Sequence, residues 1–153
     1  MHTGVDPRHL AAAAADIAQL TQPIHIAHRG SIHTHPPLLH QLADAAQPGN
    51  SPHHGPERHP KPGSRPAANL EAITAYADLV DEVATWLRTT AARTPAHERG
   101  SLRWCHDALH ALIGVMPDLA PSLAAGAAQA IHEWWRTAAT TVGWRTSDLE
   151  KLR

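Results

Sequence analysis

At 153 residues the chain suffices for one domain with a real core and leaves little room for a second. Thirteen Lys plus Arg against fourteen Asp plus Glu give a net charge of −1, which excludes the broad positive field of a protein that coats nucleic acid or anionic membrane. A single cysteine, Cys105, excludes an intramolecular disulfide and any multi-cysteine zinc site, and no apolar run nears the roughly 20 residues that span a bilayer. The N-terminus shows neither the basic nor the apolar region of a secretory signal, so a cytoplasmic location is expected, with no membrane partner.

Asp6 followed by Pro7 is a helix start, an N-cap acceptor ahead of a residue whose missing N–H costs nothing there. The helix is expected to run to about Leu20, with Leu10, Ala13, Ala14, Ile17 and Leu20 as a narrow apolar stripe, and Pro23 prevents its continuation. Next, Ile24, Ile26, Ile32 and Thr34 alternate with His25, Ala27, His33 and His35 around Arg29-Gly30-Ser31, which predicts a short β-hairpin. Two strands alone are marginal in water, so the isoleucine face is expected inward and the histidine face outward. Thr34 is expected to cap a helix beginning at Pro36-Pro37, with Leu38, Leu39 and Leu42 inward and a stop at Gln47-Pro48-Gly49.

Residues 48–66 are crowded with Pro and Gly and hold no Leu, Ile, Val or aromatic side chain, so they read as a flexible connector. Asn69 to Arg93 carries the clearest pattern in the chain. At about 100° per residue, Leu70, Ile73, Ala77, Val80, Ala84 and Leu87 share one stripe, with Ala72, Tyr76, Leu79, Val83 and Trp86 beside it. The remaining arc holds Glu71, Thr74, Asp78, Asp81, Glu82 and Thr85. A face that wide needs neighbours on two sides, which makes this the expected central helix of a bundle.

Beyond Pro95 a helix is expected from about Glu98 to Val115, facing inward with Leu102, Cys105, Leu109, Leu112, Ile113 and Met116. Trp104, Ala108, Ala111 and Val115 form a second apolar strip, which either the N-terminal helix or a second subunit must cover. After a turn at Pro117-Asp118 comes a last helix, roughly Leu119 to Val142, stopped by Gly143 and followed by a C-terminal tail at 145–153. The expected fold is a mainly α, up-and-down bundle, one domain over 1–144, with a hairpin near its N-terminus.

The candidate chemistries come from histidine, of which the chain has fourteen. His25, His33 and His35 would share one strand face if the hairpin turn has three residues, and three neutral imidazoles suit Zn²⁺, Ni²⁺ or Cu²⁺. The plainer reading, and the preferred one, is an exposed strand face with no ligand. HDALH, His106 to His110, has the one-turn spacing of the H-E-x-x-H zinc motif but carries Asp107 where the activating glutamate belongs. Cys105 lies on an apolar helix face and reads as a small buried hydrophobe. Trp134-Trp135 at helical spacing reads as core rather than as a platform for unpaired bases.

HTHPPLLHQLADAAQPG, SRPAANLEAI and IHEWWRTAATTVGW together resemble a family of uncharacterised helical proteins from actinobacterial phages and their hosts, over roughly Leu10 to Trp144. Longer members carry a cysteine-rich, zinc-ribbon-like segment after the last motif, whereas RTSDLEKLR follows it here. The resemblance implies a phage or mobile-element accessory protein. Wide apolar helix faces and the lack of a complete catalytic constellation make the leading expectation a non-enzymatic helical binding or adaptor protein with no catalytic residues and no cofactor, acting on a protein partner or as a homodimer through Trp104, Ala108, Ala111 and Val115. The alternatives are a transition-metal-binding protein using the hairpin histidines and a nucleic-acid-associated protein using the basic connector.

Overall fold

The computed structural model describes residues 5–47 and 66–153, with side chains from residue 70 onward in the second stretch. Residues 48–65, most of the expected connector, lie outside the described residues. The chain is a mainly α, up-and-down helical bundle with an antiparallel hairpin near its N-terminus. Its elements are α1 (Pro7–Thr21), β1 (Ile24–His28), β2 (Ser31–His35), α2 (Leu38–Ala46), α3 (Pro66–Thr90), α4 (Leu102–Val115), a 3₁₀ turn (Met116–Asp118), α5 (Pro121–Thr141) and α6 (Thr146–Glu150).

Capping chemistry explains some of the boundaries. Asp6 accepts a hydrogen bond from the Arg8 backbone N–H at 2.9 Å and so caps α1. Gly143, at φ +97°, ends the chain's path out of α5 in the left-handed conformation that only glycine adopts cheaply. Two starts differ from expectation. Thr34 does not cap α2, because its hydroxyl meets His25 across the hairpin at 3.0 Å. The start of α4 lies at Leu102 rather than Glu98. Gly100 turns at φ +91°, its carbonyl accepts from the Tyr76 hydroxyl at 2.7 Å, and Ser101 then caps by accepting from Trp104 N–H at 3.1 Å.

The hairpin register also departs from the expected one. Arg29 and Gly30 both take positive φ, 51° and 77°, so the loop has two residues, and Ile24 pairs with His35, His25 with Thr34 and Ile26 with His33. A slip of one residue moves a strand's side chains to the other face. Ile24 and Ile26 consequently share a face with His33 and His35, while Ile32, 73% exposed, points outward with His25 and Thr34. Ile24 is the hairpin's buried anchor, and His35 meets the edge of Trp144 with ring centroids 5.1 Å apart.

α3 packs against α2, α4 and α5, as a central helix must, and α1 packs against α5, α2 and α4. Leu79, Val80, Leu109 and Trp134 lie in one continuous core with Leu42, Leu112, Ile131 and Trp135. α3 and α5 approach closely where Gly126 meets Trp86: a Cβ on Gly126 would sit 3.2 Å from the indole. Three residues assigned to the α3 core stripe are exposed instead, namely Leu70 (63%), Ile73 (39%) and Ala77. On α1 the buried stripe is Ala13, Asp16, Ile17 and Leu20, while Ala14 is exposed.

The strip offered as a dimer surface is packed within the chain. Trp104 and Ala108 are buried, and Ala111 and Val115 are half-buried. Because α4 meets α1, α2 and α3, one helix has neighbours enough for both strips. The C-terminal segment is likewise folded back: residues 146–150 form α6, and Leu149 is fully buried.

Candidate functional site

The two-residue turn that sets the hairpin register also separates the three candidate ligands. His25 bonds Thr34 on the outer face, His33 lies 6.5 Å from His28 on the other, and His35 rests on Trp144. Among the described residues no group of three or more His, Cys, Asp or Glu side chains is arranged to hold a metal ion. The register thus does not bring together the alternative metal site at His25, His33 and His35.

On α4, helical spacing brings the His106 and His110 rings to 4.5 Å between centroids, but their nitrogens face different partners. His106 Nδ1 meets Asp107 Oδ1 at 3.2 Å, and Asp107 Oδ2 meets His97 Nε2 at 3.2 Å. The hydrogen bond from His106, foremost, holds the Asp107 carboxyl below its ordinary range. His110 Nε2 lies 3.4 Å from Thr21 Oγ1. A Thr–His nucleophile pair is excluded there, because the Thr21 hydroxyl donates to Ile17 O at 2.7 Å and leaves the imidazole only an acceptor to meet. Burial, and secondarily the His106 ring, holds the His110 pKa below the usual imidazole value.

Cys105 is buried, and burial pushes its thiol up, against a smaller lowering by the Tyr76 hydroxyl at 3.5 Å. Burial also raises Tyr76, with the Cys105 contact adding to it. Both therefore stay protonated at neutral pH, and neither is an activated nucleophile.

The most organised polar group was not singled out from the sequence. Asp16 is 1% exposed, between α1 and α5. Its Oδ2 accepts from His132 Nδ1 at 3.2 Å, and its Oδ1 accepts from the Arg153 guanidinium. Gln19 Oε1 accepts from Trp135 Nε1 at 2.8 Å, and Gln19 Nε2 donates to the Leu149 carbonyl at 2.7 Å. His132 stacks on Trp135 at 5.2 Å, and the Arg153 guanidinium lies 4.6 Å from the Trp135 ring centroid. A signal for this group was present. Asp16 occupies the i+3 place after Ala13 on the very stripe that continues to Ile17 and Leu20.

A pocket lies between α2, α3 and α5, lined by Leu42, Ala75, Leu79, Trp134 and Ala138 with Asp78 and Glu82 among its walls. Trp134 Nε1 donates to Glu82 Oε1 at 3.4 Å. What the residues define is a small mainly α bundle with an acidic helix face and an Asp–Arg–Trp network built on a buried carboxylate, without an activated nucleophile or a metal cage among the described residues. No family model, curated protein or solved structure matches the chain. No helix among the described residues is long and apolar enough to cross a membrane.

Proposed function

We propose that the chain is a non-enzymatic helical module that binds another macromolecule through the outer surface of α3. The observation that carries this is the division of that surface. Leu70, Ile73 and Ala77 form an exposed apolar ridge, Leu42, Leu79 and Trp134 line a pocket on the far side, and at about 100° per residue Asp78, Asp81, Glu71 and Glu82 fall between them. Apolar anchors beside a run of carboxylates suit an amphipathic partner segment bearing Lys or Arg next to its apolar face. Charge argues against a second copy on this surface, because a two-fold contact would set acids against acids. The resemblance to phage and host proteins supports reading the module as an accessory of a mobile element.

The test uses a synthetic amphipathic peptide with leucines at helical spacing and lysines beside them, compared with its glutamate twin, read by the tryptophan fluorescence of the full chain. Binding of the lysine peptide, weakened about tenfold by Leu70→Ser with Ile73→Ser and again by Asp78→Asn with Glu82→Gln, supports the reading. Equal binding of both peptides, or indifference to the four substitutions, overturns it.

A further inference from the structure

Apart from the α3 surface, the Asp16 network has the composition of an arginine receptor. Guanidinium is planar, carries forked donors, and stacks on aromatic faces, so a site that selects it needs a carboxylate, a second acceptor and a flat ring. Asp16 Oδ1, Gln19 Oε1 and the Trp135 indole supply these, with the Arg153 Nη2 bonded to Asp16, 3.4 Å from Gln19 and its guanidinium carbon 4.6 Å from the ring centroid.

Each of these groups is oriented by a partner other than arginine. His132 holds the second oxygen of Asp16, and Gln19 and Trp135 hold each other at 2.8 Å. The receptor is thereby preorganised on α1 and α5, the two helices at the heart of that side. Its occupant rides on a slighter element. α6 has five residues, one of them buried, Leu149, and Gln19 Nε2 holds the Leu149 carbonyl. The guanidinium side chain itself is 25% exposed, while the carboxylate beneath it is 1% exposed.

We propose that the socket formed by Asp16, Gln19 and Trp135 is a guanidinium-binding site filled in cis by Arg153, and that an arginine side chain of a partner takes its place when α6 lifts. The space that Leu149 fills and the Trp135 face then open together, so α6 acts as a competing internal ligand.

The probe is N-acetylarginine amide, added to the full chain and to its variants, with N-acetyllysine amide as the control. Arg153→Ala should melt roughly 5 °C below the wild type, since a buried carboxylate loses its main partner. At ten times its dissociation constant the arginine probe should return about 3–5 °C and shift the Trp135 indole N–H resonance. The lysine probe should do neither, because a compact, strongly hydrated ammonium has no flat face to lie on the Trp135 ring as the guanidinium does. If Arg153→Ala does not fold, Arg153→Gln replaces it with the same readout. A folded variant that ignores the arginine probe, or answers equally to lysine, overturns the guanidinium site. Leu149→Ala, which loosens α6 while keeping Arg153, should respond to the arginine probe where the wild type does not, and its silence overturns the exchange.

Discussion

The two halves of α3 carry the same kind of sequence and meet different fates. In the C-terminal half Leu79, Val80, Val83, Ala84 and Leu87 are all buried, enclosed by α2, α4 and α5. In the N-terminal half Ala72 is buried, but Leu70, Ile73 and Ala77 are exposed. The boundary falls at Tyr76, where the hydroxyl donates to Gly100 O and touches Cys105 at the start of α4. Periodicity states which residues are able to form a buried face. Whether the face is buried depends on how far the neighbouring helices reach along it.

The sharpest way to break this comparison is to empty the packed half. Trp134→Ala should cost about 3–5 kcal/mol, because the indole is 3% exposed in the core beside Leu79. Urea unfolding checks it, and an unchanged midpoint would remove Trp134 from the core. Leu87→Ala should cost about 2–5 kcal/mol by the same mechanism and the same measurement. At the boundary, Tyr76→Phe should cost about 1 kcal/mol, since the Gly100 carbonyl loses its donor while the ring packing stays. A loss as large as that of Leu87→Ala would mean that the loop before α4, not the helix packing, sets the boundary.

Ionisation should matter less than packing, and His110 tests this. Its ring is partly enclosed on α4, and that partial burial is the chief cause holding its folded pKa below the ordinary 6.5. The unfolded chain therefore binds the proton more readily than the folded one. Stability from this group is full above pH 6.5 and declines as pH falls through that value to the lower folded one. His110→Gln should flatten that part of the stability profile, and a steeper profile in the variant would reverse the sign. The smallest effect belongs to the open half of α3. Leu70→Ser and Ile73→Ser should each change stability by no more than about 0.5 kcal/mol. A cost matching Leu87→Ala would show that the ridge is covered after all.

Much of the bundle was legible from residues alone. The Asp6 cap, the pairing of two strands, the Gly143 stop and the burial of Cys105, Trp134 and Trp135 all follow from local stereochemistry or helical period, which act within a few residues of chain. The hairpin register was not, because it turned on whether Arg29 would take a positive φ, and that single choice assigned His25 to one face and His33 and His35 to the other. The choice between the N-terminal helix and a second subunit as the cover of Trp104 and Ala108 was also left open, and α4 is covered within the chain because it has α1, α2 and α3 as neighbours.

The buried polar network marks the limit most clearly. The sequence by itself determined that Asp16 lies on a helix with Ala13, Ile17 and Leu20, and that Trp135 and His132 share another, but it did not mark Asp16 as an inward residue. Only the tertiary structure decided that α1 packs on α5 and that Arg153, 137 positions along the chain, returns to Asp16. A carboxylate at a core position is unfavourable until a partner arrives, and helical periodicity does not identify a partner carried by another element.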